Sequence, residues 1–190
     1  MDPRAEDLAR FWLDDVGENG WYARDDALDT RIRERWLSLW EEARAGGLDR
    51  WRCTPRGTLA LVILLDQLPR NMFRGDARAF ATDIRARQVA KDAVLRGFDK
   101  RVPLPERQFL YLPLDHSEMP SDQDWSVRLV LLSFGRDSEL LRHARAHREI
   151  IRRFGRFPYR NAALGRESRP DEVAFLAEGG YRAALEAIPA

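Results

Sequence analysis

The sequence predicts an all-α protein of about seven helices packed as helical hairpins. Three observations carry that prediction. Apolar residues recur at the 3.6-residue period of a helix in nearly every segment, with no sustained alternation of the strand kind. Capping residues (Asp, Thr, Ser) open these segments and glycines close them. The connections are short, as neighbouring antiparallel helices require. With 190 residues and 44% apolar content, the chain is long enough for one well-buried core and reads as a single domain over 1–190.

Taken in order, Asp2-Pro3 opens a first helix to about Asp14, with Leu8, Phe11 and Trp12 on one side and the turn VGENG after it. Asp25 caps a second, whose stripe of Leu28, Ile32, Trp36, Leu39, Trp40 and Ala43 ends at Gly46-Gly47. Thr54-Pro55 starts a third. Its run LALVILL (59–65) is apolar all round, so it belongs at the centre of the fold, and Pro69 is expected to end it near Leu68. Thr82 is placed to cap a fourth helix, closed by Gly97, and a short helix follows Pro105. Ser121, with Asp124 as its capping-box partner, opens the next, which carries WSVRLVLLSF to Gly135. Asp137 opens another through Phe154, closed by Gly155, and a last helix runs from about Pro170 to Glu178. There is no clean internal repeat period.

Composition excludes several classes. The run at 59–65 is far short of the roughly 20 apolar residues that span a bilayer. MDPRAEDLAR carries acids and no apolar core of a signal peptide, so a soluble cytoplasmic protein with no membrane association is expected. The lone Cys53 has no intramolecular disulfide partner. Residues 1–30 hold nine acids against three arginines, whereas 136–169 hold ten arginines against four acids. Only two of the 32 basic residues are lysine. Arginine's planar fork suits carboxylates, phosphates and aromatic faces, although a general preference for Arg would give the same count.

Several stretches go beyond periodicity: LLDQLPRNMFRG with AFATD (64–83), FLYLPLDHSE (109–118), SDQDWSV (121–127), HREIIRRFGRFPYRNAALGRES (147–168) and DEVAFL (171–176). Together and in order, they resemble the bacterial family catalogued as domain of unknown function 924. The resemblance covers nearly the whole chain and is weakest before residue 50 and after 178. It implies a tetratricopeptide-like all-α superhelix and no established activity. One departure stands out: the family pattern has histidine after RFP, where this chain has Tyr159.

Several clusters are candidates for chemistry. Asp66 and Gln67 fall at the carboxyl end of the buried helix, where the helix dipole disfavours an acid, so Asp66 is expected to pair with Arg70. Asn71 and Asn161 each follow a Pro-Arg or Pro-Tyr-Arg run and read as helix caps or as ligand contacts. In RRFGRFPYRN (152–161), Gly155, Phe157 and Pro158 stop a helix. Arg152, Arg153, Arg156 and Arg160 are not needed for that, and read either as a solvated face or as an anion site. His147 lies on the expected buried stripe of Leu140, Ala144, Ile151 and Phe154, one turn from His143. His116 and Glu118 share a loop between two prolines, followed by Asp122 and Gln123.

Two functions compete. The first is a binding module for a small anion or an acidic peptide end, with Arg70, Arg153, Arg156 and Arg160 supplying charge and Asn71, Gln123, Asn161 and His147 orienting the ligand. The second is a hydrolase or isomerase in which His116 or His147 is the general base, Glu118 or Asp122 orients it, and arginines stabilise an oxyanion. A closed, mutually satisfied polar network is the purely structural alternative. No nucleophile elbow, P-loop or dinucleotide fingerprint is present. No cofactor or metal is expected, the near-zero net charge argues against nucleic acid, and oligomeric state is left open.

Overall fold

In the computed structural model, which describes residues 2–189, the chain is all-α, with no strand among those residues. Eight α-helices of seven residues or more occur among them, close to the number expected. None is long and apolar enough to cross a membrane. The chain divides into two compact units, Met1–Pro113 and Leu114–Ala190.

In the first unit, α1 (Pro3–Arg10) is capped by Asp2, whose carboxylate accepts from the Arg4 N–H at 3.0 Å. It continues as a wider π turn over Phe11–Val16, and Gly17 (φ +62°) breaks the run before a single turn, α2 (Gly17–Gly20). Asp25 caps α3 (Asp26–Ala45) through the N–H groups of Ala27 and Leu28, and Gly46 ends it in the left-handed conformation. Thr54 caps α4 (Pro55–Val62) through Gly57. Helix α4 packs against both α1 and α6 (Asp83–Leu95), and every residue from Leu59 to Leu65 is at most 1% exposed. Each such Leu, Ile or Val contributes roughly 1.5–3 kcal/mol by leaving water.

Pro69 does not stop this central run. A π turn at Ile63–Gln67 carries the chain straight into α5 (Leu68–Met72). A proline strands the carbonyl four residues before it, here that of Leu65. The Thr82 hydroxyl donates to that carbonyl and in turn accepts from the Trp40 indole N–H at 3.1 Å. Thr82 therefore makes no side-chain cap for α6; its hydroxyl is spent repairing the proline site.

A one-turn helix, α7 (Leu112–Asp115), leads from one unit into the next. The second unit holds α8 (Pro120–Phe134), α9 (Glu139–Phe154), α10 (Pro170–Ala177) and α11 (Gly180–Glu186). Helices α8 and α9 form a hairpin, and α11 packs on α9 and α10. Helix α8 begins at Pro120 with no side-chain cap, so the Ser121–Asp124 box is not formed. Ser138, not Asp137, caps α9 by accepting from Leu140 N–H. Helix α11 begins at Gly180, beyond Glu178, where the last helix was expected to end.

Candidate functional site

Helix α9 turns Leu141, Ala144, Ile150, Ile151 and Phe154 inward and closes at Gly155 with φ +70°. The four arginines around that stop have four different fates. Arg152 donates to Glu149 on the surface. Arg153 is exposed, with its guanidinium 4.7 Å from the Phe154 ring centroid and 5.8 Å from that of Phe175. Arg156 forks onto Glu172, both bonds 2.7 Å, and donates to the Glu167 carbonyl. Arg160 is buried over the Phe157 ring and donates to the His116 carbonyl at 3.0 Å.

Glu172 is the hub of this region. It is fully buried and also accepts from the Asn161 amide, the Arg169 backbone N–H and the Arg169 guanidinium. The Arg156 guanidinium outweighs burial and holds the carboxyl down to about 2. Asn161 caps nothing: it follows the 3-10 turn Pro158–Arg160 and donates to Glu172 and Ser168.

His147 lies with its Nδ1 3.9 Å from Asp115, longer than a hydrogen bond, and its side chain is 15% exposed. Its ring packs edge-on to Phe157 and His116 and against Tyr181. Burial first, then the neighbouring His116, Arg160 and His143, push it well below the ordinary histidine range, so it is a neutral imidazole. His143 hydrogen-bonds the Tyr181 hydroxyl, which burial pushes up. Glu118 accepts from the Phe157 backbone N–H at 2.9 Å and from Arg166 at 3.0 Å, tying the 116–119 loop to the residues after α9. Gln123, wholly buried, donates to the carbonyls of Leu114, Asp115 and Ser117, and Asp122 accepts from the Ser117 hydroxyl. Among the described residues, no group of three His, Cys, Asp or Glu is placed to hold a metal ion.

The other nominated residues belong to the first unit. Asp66 is fully buried, accepts from Gln67, and lies 3.6 Å from Arg70, the partner expected for it. Arg70 also pairs with Asp83 at 2.9 Å, donates to the Ala79 carbonyl and covers the Phe80 ring. Asn71 sits inside α5, not at a cap, and donates to Asp29 at 2.8 Å. That bond opens onto a cleft of about 550 Å³ lined by Arg24, Asp26, Thr30, Arg33 and Arg74 as well as by Asn71 and Asp29. Arg74 forks onto Asp29 at 2.8 and 2.9 Å, while Arg33 donates through Nε and Nη2 to the Met72 carbonyl. Although burial opposes it, the Arg74 guanidinium and the Asn71 amide keep the Asp29 carboxyl below its ordinary range. Arg24 is exposed and makes no ion pair among the described residues.

The family described as bacterial protein of unknown function (DUF924) matches residues 8–180. The chain belongs to that family. A solved structure of a protein of unknown function from Agrobacterium tumefaciens, ATU0120, is similar to it, with 40% identity and a TM-score of 0.88 over 93% of this chain and 98% of that one. A search of the curated proteins found no match.

Membership of DUF924 accounts for the motifs and carries no reaction with it. Arg156 and Arg70 are committed to internal carboxylates, which is what holding corners of the fold requires. The cleft around Asn71 is different. Arg33 and Arg74 are each fixed by two internal bonds, and a guanidinium has five N–H donors, so each keeps donors for a further partner. Sequence reasoning found Asn71 and missed Asp29, Arg33 and Arg74. Arg74 lay in the motif LLDQLPRNMFRG, and Asp29 beside the buried stripe position Leu28, but their pairing spans 45 residues.

Proposed function

We propose that this protein binds a small anion, or the acidic end of a peptide, in the polar cleft of its first unit. Arg24, Arg33 and Arg74 supply the positive charge, and the Asn71 amide holds Asp29 so that Arg74 stays aimed. The observation that carries the reading is pre-orientation: two of the three guanidiniums are already immobilised by internal hydrogen bonds. Fixing them in advance removes much of the side-chain entropy a ligand would otherwise have to overcome. The cleft also lies by the first turns of the twenty-residue α3, whose amino-terminal end favours negative charge. Asp26 also lines the cleft and lowers its net positive charge; phosphate, citrate and the acidic end of a peptide are the candidates. A tetratricopeptide-like superhelical arrangement and a cytoplasmic location are part of the same reading.

Thermal melts with inorganic phosphate, citrate and an acidic peptide test it. A ligand at about a hundred times its dissociation constant stabilises by roughly 2.7 kcal/mol. Arg24→Ala and Arg33→Lys are expected to lose the shift while keeping the unliganded melt close to wild type for Arg24→Ala. A shift retained in both variants contradicts the reading.

A second reading, hydrolysis or isomerisation, draws on the neutral His147 beside Asp115 and on the His143–Tyr181 hydrogen bond. It requires that His147→Ala abolish any turnover found, with a rate that rises as an unprotonated base forms.

A further inference from the structure

A second cleft, of about 350 Å³, lies within the second unit between α9, α10 and α11. Its walls are Ile150, Phe154, Phe175, Ala184 and Ile188, with Glu149, Arg153 and Glu178 as the charged groups that line it. We propose that this cleft takes an alkyl carboxylate, with the chain between the three helices and the carboxylate on Arg153.

Three observations converge on that chemistry. The wall contributed by α11 is built largely of alanines, which leave unfilled space against the Ile150–Phe154–Phe175 cluster. The Arg153 guanidinium is braced against two aromatic rings, and no carboxylate pairs with it among the described residues. Glu149, the nearest acid along α9, is already engaged by Arg148 and Arg152. An alkyl chain is favoured over a peptide because most of the lining comes from helices. Their backbone N–H and C=O groups bond one another and leave few partners for a peptide backbone, whose groups are costly to bury unmade. Glu178 is exposed at the end of α10 and sets the competing preference, for an alkyl ammonium.

The test is calorimetric titration of the full chain with decanoate, decanol, decylamine and a short peptide ending in leucine. Decanoate is expected to bind, and decanol and decylamine at least about tenfold more weakly. Arg153→Gln, at an exposed site, is expected to weaken decanoate by about tenfold with an unchanged melt. Ala184→Leu, which fills the cleft, is expected to abolish binding without lowering the melting temperature. Equal affinity for decanol, a preference for decylamine or the peptide, no binding of decanoate, or an Arg153→Gln variant that binds normally would each overturn the proposal. Arg24→Ala leaves decanoate binding intact if the two clefts are separate sites, so failure of one reading is distinguishable from failure of the other.

Discussion

Replacing Glu172 by glutamine probes what holds the second unit together. The carboxylate is fully buried and accepts five hydrogen bonds: two from Arg156, one from Asn161 and two from Arg169. Arg156 foremost, against the opposing effect of burial, brings its pKa from 4.5 to about 2. At ~1.4 kcal/mol per pH unit, that depression corresponds to about 3 kcal/mol of stability. The same order is expected for breaking a buried ion pair, since one partner is left stranded. The folded-state value lies below the unfolded one, so the contribution is fully present above pH 4.5 and is lost as pH falls toward about 2. Glutamine has the same shape and no titration. The gap between wild type and Glu172→Gln is therefore about 3 kcal/mol at neutral pH and narrows by ~1.4 kcal/mol per pH unit below about 4.5. Urea unfolding followed by circular dichroism at a series of pH values measures it, with stability taken by linear extrapolation. Comparing the two proteins at each pH cancels other carboxylates with lowered values, such as Asp29. A gap that is the same at neutral and acid pH, or below about 1 kcal/mol at neutrality, would refute the reasoning.

Thr82→Val removes the donor to the Leu65 carbonyl and the acceptor of the Trp40 N–H, and is expected to cost about 1–3 kcal/mol in a thermal or urea melt. Thr82→Ser should recover most of it; a neutral Thr82→Val would show that the proline site needs no repair. His147 should remain neutral well below 6.5, since burial and the cationic groups around it disfavour its proton. The unfolded chain then takes up a proton that the folded one does not, so stability falls as pH drops below about 6.5, and histidine resonances followed by NMR would contradict this by a midpoint at or above that value. Gly155→Ala meets open space but keeps φ at +70°, so its cost is the backbone term alone, about 1 kcal/mol, and a neutral or stabilising result would contradict it.

Much of the local chemistry was legible in the sequence, although the Ser121–Asp124 box is not formed and Ser138 takes the cap expected of Asp137. Asp25, Thr54, Gly46 and Gly155 act at their helix ends as their residue types require, and LALVILL is the buried centre of the first unit. The errors cluster where a distant partner outbids a local role. Thr82 is drawn from its cap by a carbonyl 17 residues away, and Asn161 from its own by Glu172, 11 residues on. The π turn at Ile63–Gln67 lets the helix pass Pro69, a change of hydrogen-bond register that no periodicity reveals. Arginine pairing was the least legible. RRFGRFPYRN shows four cations together, but which of them meets a carboxylate depends on Glu172 and the helix that carries it. Arg153 is left exposed by the same arrangement that commits Arg156.

Isothermal titration of citrate and of inorganic phosphate into the wild type and into Arg24→Ala is the most direct test of anion binding in the first unit. The account predicts saturable binding of at least one of them, weakened about tenfold or more without Arg24 and falling as salt is added. No heat with either anion, or identical isotherms for the two proteins, would contradict it.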